Sequence, residues 1–128
     1  MYCIDSDFAI AILKGNKSAK ELLTTLESEG DIFITSISIF EITYITKEIS
    51  KKKERSLMNL IGTLKVFPLE KNSALLASKI GRKLAKEGKM VHPMDLMIGS
   101  IALQNKMPLV TNNVKHFSRI IGLEIVSW

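Results

Sequence analysis

The sequence predicts an α/β fold, with a parallel central sheet flanked by helices on both faces. Two observations carry that expectation. Short apolar runs recur along the chain, and stretches of helical periodicity separate them. Strands joined by helical crossovers run parallel, and such a sheet buries both of its faces under those helices. The size agrees: 128 residues, 46% hydrophobic and 24% charged, suit a single domain over residues 1–128. The sequence contains no repeat, linker or low-complexity tract, so Gly and Pro act as punctuation inside that domain.

Met1–Ile4 is the first expected strand. Asp5-Ser6-Asp7 supplies capping groups for an apolar helix, Phe8–Leu13, which ends at Gly15-Asn16. A second helix runs from Ser18 to Ser28, with Leu22, Leu23 and Leu26 on one side, and stops at Gly30. Ile32–Thr35 is a short strand. It leads into a helix over Ser36–Ile49, where Ile39, Ile42, Tyr44 and Ile45 or Ile49 recur at helical spacing. Lys51–Arg55 is a charged turn before a helix over Ser56–Leu64. Val66–Leu69 is a strand containing Pro68, which cannot donate to a ladder and marks an edge or a strand end. Asn72–Glu87 is the longest helix, with Leu75, Leu76, Ile80 and Leu84 facing inward and Gly88 ending it. After His92-Pro93, Met94–Asn105 is an amphipathic helix. Leu109–Thr111 is a strand followed by a polar turn to Phe117, and Leu123–Ser127 closes the sheet.

Composition excludes several classes of function. The longest apolar stretch, Phe8–Leu13, is too short to cross a bilayer, and Asp5 and Asp7 interrupt any secretory leader. The single cysteine, Cys3, forms no internal disulfide and sits in an apolar strand as a small buried hydrophobe. These features point to the cytoplasm. No Gly-x-Ser-x-Gly elbow, P-loop or Gly-x-Gly-x-x-Gly run occurs, and one cysteine leaves no Cys/His zinc set. The formal net charge of +5 suits a polyanionic substrate, although mild basicity is equally common without one.

Four positions carry the chemistry. Asp5 closes the first apolar run, Glu41 lies on the helix after Ile32–Thr35, Asp95 opens its helix, and Asn113 follows Leu109–Thr111. Strand carboxyl ends share one edge of a parallel sheet, and ligands bind in the crevice there. Three carboxylates gathered at that edge repel one another unless a cation holds them, and hard oxygen donors suit Mg²⁺ or Mn²⁺. The implied chemistry is hydrolysis at phosphate. An ion held by Asp5 and Asp95, with Glu41 direct or through water, polarises the scissile phosphate and acidifies a water. A second ion about 3.5–4 Å away would steady the leaving oxygen. Ser6 and Thr111 are suited to orient these groups, and Asp7 adds a carboxylate beside Asp5. Lys14 and Lys115 lie near these segments and are expected to contact substrate phosphates. Lys79, Arg82, Lys83 and Lys86, like Lys51–Lys53, are first of all solvated faces, and His92 and His116 are loop and packing residues. Singly, each site residue has a structural reading: Asp5 as a cap, Glu41 as capping-box partner of Ser38, Asp95 as a dipole-favoured first-turn acid, Asn112 and Asn113 as turn residues.

The blocks around these residues resemble, in order and along the whole chain, those of PIN-domain ribonucleases, and more closely the VapC-type toxins of toxin–antitoxin pairs. Ile4-Asp5-Ser6-Asp7 is similar to the family's strand-end aspartate with its hydroxyl neighbour. Thr35–Ile42 is similar to the helix bearing the second acid, and His92–Ala102 to the third-acid helix. Leu109–Phe117 is similar to the fourth block, with Asn113, rather than Asn112, where many relatives carry Asp. The resemblance implies a Mg²⁺- or Mn²⁺-dependent endoribonuclease with a PIN-like fold, acting on RNA as the toxin of a type II pair. It also implies a homodimer and a cognate antitoxin covering the crevice and N-terminal helices. The apolar face of Phe8, Ile12, Leu23 and Leu26 offers a surface for it, and core packing explains that face equally well. Aromatic content of 6% favours recognition by shape and backbone charge over base stacking. A receiver-type phosphoacceptor domain shares the size, the acidic pair and Mg²⁺, but needs an Asp at the end of the central strand. A non-catalytic RNA- or protein-binding domain is opposed by the intact acids.

Overall fold

The computed structural model describes residues 1–46 and 48–128. Strands β1 (Tyr2–Ile4), β2 (Ile32–Thr35), β3 (Lys65–Phe67), β4 (Leu109–Val110) and β5 (Ile125–Val126) form one sheet in the order β3-β2-β1-β4-β5. Every pairing is parallel, with Ile4 beside Ile34 on one side and Val110 on the other. The helices are α1 (Ser6–Leu13), α2 (Lys17–Glu29), α3 (Ser36–Ile45), α4 (Lys51–Thr63), α5 (Lys71–Lys86), α6 (Pro93–Gln104) and α7 (Val114–Phe117). The chain winds from β1 out to β3, then returns to lay β4 against the free side of β1. Strand order reverses there, and crevices open at such switch points.

The period-two alternation of the strands divides the core between the two faces. Ile4, Ile32, Ile34 and Val110 pack with Phe8, Leu26, Ile42 and Leu57. Cys3, Phe33 and Leu109 pack on the other side with Ile98, Ala102, Phe117 and Ile120. Cys3 is fully buried, as expected, and burial pushes its thiol up to about 12. Local chemistry sets the helix starts. Side chains of Asp5, Asn16, Thr35 and Ser50 each accept from a backbone N–H of the helix they cap. At α6, His92 Nδ1 accepts from Met94 N and Pro93 supplies a preset φ. Gly99 lets α6 approach the chain after α7, because a Cβ there would lie 2.4 Å from Ile120 Cδ1.

Several expected boundaries move. The helix from Ser36 closes at Ile45 instead of Ile49, and residue 47 of the expected span lies outside the described residues. Ile42 is the last side chain that α3 buries; Tyr44 and Ile45 are 61% and 67% exposed. The Thr43 and Thr46 hydroxyls also bond back to carbonyls of the preceding turn, which weakens further propagation. Lys51–Arg55 is the beginning of α4 and not a turn, because Ser50 caps it and its charges face water. On α5 the buried side is Ser73, Ala77 and Leu84, so Leu75 points outward at 60% exposure. Small residues make that face: a Cβ on Gly81 would come within 2.7 Å of Leu96 Cδ1 of α6. Phe8 and Leu26 are core residues, which takes them out of any partner surface. β3 is an edge strand that ends just before Pro68, as its proline demands.

Candidate active site

β1 and β4 end side by side, so the residues after them, Asp5 and Thr111, are neighbours. The Asp5 N–H still donates to Val110 O at 3.1 Å, which fixes its backbone to the sheet. Thr111 Oγ1 lies 3.0 Å from Asp5 Oδ2 and 3.1 Å from Asp7 Oδ2. A hydroxyl has one hydrogen, so two carboxylates share one donor. Thr111 Oγ1 in turn accepts from the Asn113 N–H at 3.1 Å, and the Asn112 N–H donates to Asp7 Oδ2 at 2.9 Å. On the other side of β1, Ser6 Oγ donates to Glu41 Oε2 at 2.9 Å, joining α1 to α3. Asn113 Nδ2 reaches Asp95 Oδ2 at 3.4 Å, and His116 Nδ1 stands 3.9 Å from the same oxygen. A connected set of polar contacts therefore runs from Glu41 through Ser6, Asp5, Thr111 and Asn113 to Asp95.

Electrostatics bind the same residues together. Burial is the first cause that raises each of the four carboxyls. Asp5, almost fully buried, rises to about 7; the charge of Asp7 adds to burial, while Ser6 N–H and the Thr111 hydroxyl pull back. Asp7 is held down by the Asn112 N–H and Thr111, yet stays above the usual carboxylate range. Glu41 rises through burial and the charge of Asp95, against its bond from Ser6. For Asp95, burial outweighs the lowering influence of the nearby His116 and His92 and of the bond from Asn113. Among the described residues Asp7 Oδ1 is buried and makes no hydrogen bond of standard geometry, although the Phe8 and Asn113 N–H groups also pull this carboxyl down.

The donor set fits a hard divalent cation in one way and limits it in another. Its candidate donors are carboxylate oxygens whose charges act on one another, as Asp7 and Glu41 do on Asp5. Among the described residues, however, no three His, Cys, Asp or Glu side chains are set to grip an ion as they stand. Mg²⁺ is commonly held by one or two carboxylates with waters completing its shell, and that mixed shell is the one this arrangement accommodates.

The model of the PIN domain matches residues 2–123. The chain belongs to the PIN-domain family. It is 30% identical over 132 residues to Ribonuclease VapC2 of Rickettsia felis, across 100% of this chain and 98% of that protein. To the tRNA(fMet)-specific endonuclease VapC of Shigella flexneri it is 28% identical over 130 residues, covering 99% and 97%. The structure of VapBC2 from Rickettsia felis, bound to a DNA fragment from its promoter, superposes with a TM-score of 0.87 at 27% identity, covering 99% and 98%.

In this PIN domain the residues singled out from sequence fall into two groups. Asp5, Ser6, Asp7, Glu41, Asp95, Thr111 and Asn113 share the polar network. Lys14 and Lys115 stand outside it: Lys14 lines an open depression that Asp7 also lines, and Lys115 lines a groove beside α7. The capping-box reading of Glu41 fails, because Thr35 caps α3 and Ser38 is buried inside the helix. The Asp5 cap is real and coexists with its place in the network. Two residues have contacts at the site that their sequence readings do not give them. His116, read as packing, faces Asp95, and Asn112 ties Asp7 to Trp128 by accepting from the Trp128 N–H at 3.1 Å. His116 follows Asn113 by one helical turn, a spacing that signals its position.

Proposed function

We propose that this PIN domain is a Mg²⁺- or Mn²⁺-dependent endoribonuclease and the toxin of a type II toxin–antitoxin pair. One observation carries the reading: Asp5, Asp7, Glu41 and Asp95, from three separate chain segments, are linked by one run of hydrogen bonds at the switch point of the sheet. The family, and relatives named as VapC ribonucleases over their full length, support RNA as substrate. Asp5 and Asp95 would hold the cation, with Glu41 direct or through water. When bound, the ion supplies Lewis acidity at a phosphate and a more acidic water. The other residues position these groups. Ser6 holds Glu41 to the strand edge, the Thr111 hydroxyl joins Asp5 and Asp7, and Asn113 steadies Asp95. Asp7 would add negative charge beside Asp5 that favours a cation there. Lys14 and Lys115 flank the acids and meet substrate phosphates. The described residues contain no helix long and apolar enough to span a membrane. A cognate antitoxin is the expected partner, since solved relatives are VapBC assemblies. A second copy of the chain is the other, with the exposed Phe40–Tyr44 stack of α3 as an apolar face for it.

The deciding experiment is cleavage of single-stranded RNA with Mg²⁺ or Mn²⁺ against EDTA, by wild type and Asp95→Ala. Cutting should need the metal and should fall by at least about a hundredfold in the variant. Undiminished cutting in EDTA, or by the variant, refutes the reading. Expression of wild type should also arrest growth, and Asp95→Ala should not.

A further inference from the structure

A groove of about 440 Å³ runs between α5 and the segment from α7 to Ile121, outside the acidic network. Its floor is apolar, formed by Ile80, Leu84 and the 80%-exposed Ile121. Around that floor stand Lys83, Lys89, Lys115 and Arg119, opposed by one carboxylate, Glu87. Arg119 is not loose: Nη1 donates to Met90 O at 2.7 Å, pinning the end of the α7 segment to the loop before α6. Four cations against one anion make this a strongly positive concavity, and its volume lies in the range of about 300–1,000 Å³ that holds small ligands.

Continuity with the acids decides what the groove takes. α7 is the wall between the two: His116 faces Asp95, while the adjacent Lys115 lines the groove. A strand with one phosphate at the acids meets Lys115 as it crosses α7. We propose that this groove binds the RNA strand beyond the scissile bond, seating a nucleotide on the apolar floor with its phosphates on Lys83, Lys89 and Arg119. Ribose and base carbons cover Ile80 and Ile121, and the backbone neutralises the rim. Lys83, a residue of a solvated helix face by sequence alone, becomes part of a phosphate track. The proposal rests on the nuclease reading and adds a subsite to it.

The test is the pair Lys83→Ala/Lys89→Ala, with Lys51→Ala/Lys52→Ala on α4 as a control of equal charge loss. Labelled long single-stranded RNA is titrated by anisotropy in EDTA, so that nothing is cut, and cleavage of long and tetranucleotide RNA is measured with Mn²⁺. The groove pair should bind long RNA about five- to tenfold more weakly, and its salt slope should fall by about 1.4, roughly 0.7 per lysine. KM for long RNA should rise by the same factor at unchanged kcat, and cleavage of the tetranucleotide should stay as in wild type. Unchanged affinity, an equal loss in the α4 control, or an equal loss for the tetranucleotide overturns the groove. A wild type that cuts RNA beside an unaffected groove pair refutes the groove alone. A wild type that cuts nothing, while the groove pair still loses affinity, refutes the nuclease reading alone.

Discussion

Replacing Asp5 with Asn should stabilise the metal-free protein at neutral pH while abolishing cleavage. Asp5 is buried, and burial with the charge of Asp7 raises its carboxyl from 3.8 to about 7. In the unfolded chain it titrates near 3.9. Between these values the folded protein keeps a proton that the unfolded chain has released. The contribution is therefore favourable at low pH and is lost as pH rises from about 4 to 7. About three decades of proton affinity, at roughly 1.4 kcal/mol each, bound the loss at about 4 kcal/mol by pH 8. Asn keeps the shape and an acceptor for the Ser6 N–H, and its amide donates to Thr111 Oγ1. The Thr111 hydrogen is then left for Asp7. In a chain of 128 residues each kcal/mol moves Tm by roughly 3–5 °C, so the gain is at most roughly 12–20 °C at pH 8 and close to nothing at pH 4. Melting curves of both proteins from pH 4 to 8 in EDTA read this out, and their difference cancels the titration of other groups. Mn²⁺ should raise Tm of wild type by mass action and leave Asp5→Asn unmoved. A difference that is zero or negative at pH 8, or independent of pH, refutes the reasoning.

Two further substitutions probe the frame around the site. Thr111→Val keeps the shape of a fully buried residue but removes the hydroxyl that serves Asp5, Asp7 and the Asn113 N–H. It should cost about 1–3 kcal/mol in denaturant unfolding and about ten- to a hundredfold in cleavage, and a variant equal to wild type in both would remove Thr111 from the network's centre. Gly99→Ala places a methyl 2.4 Å from Ile120 Cδ1, so stability should drop by about 1–3 kcal/mol. Ile120→Val in the same chain should recover part of that loss; no recovery would locate the strain elsewhere.

The strand-borne half of the site was legible because short apolar runs announce strands, and a polar residue just past each run lands on the sheet edge. Asn113, three residues past its strand, is preferred over Asn112 through the family resemblance, whereas Asp5 follows from that rule alone. Glu41 does not. It lies on a helix beyond the run, where its spacing from Ser38 also allowed a capping box, and the family resemblance added weight to its place in the crevice. The bond from Ser6, which explains its position, joins residues 35 apart in sequence. The α5 face was misread for a related reason. Leucines draw the eye, but the side that meets α6 is lined by Ser73, Ala77 and Gly81, whose small size permits the close approach. Nothing in hydrophobic period alone separates Leu75, in water, from Leu84, in the core. The first turn of α4 carries no apolar period either and reads as a charged turn; Ser50, which caps it, is the signal that this reading passes over.

The arrangement divides labour between rigid and adjustable acids. Asp5 is fixed by a sheet hydrogen bond and by its own helix cap, and is nearly sealed from water. Glu41 and Asp95 stand on helices, half-buried, each steadied by one neighbouring side chain at 2.9 and 3.4 Å. A single-hydrogen donor between Asp5 and Asp7, with Asp7 Oδ1 in no hydrogen bond of standard geometry, leaves the centre with more acceptors than donors. Such a shortage would be a defect in a structural network, where a half-satisfied polar group costs stability. It is an asset where a positive species is to be taken up. A proton on Asp5 relieves part of it when nothing else is present, and a hydrated cation held by one or two of the carboxylates would relieve more. The fold accepts the cost at one edge because two dry cores, one on each face of the sheet, hold the strand ends in place regardless.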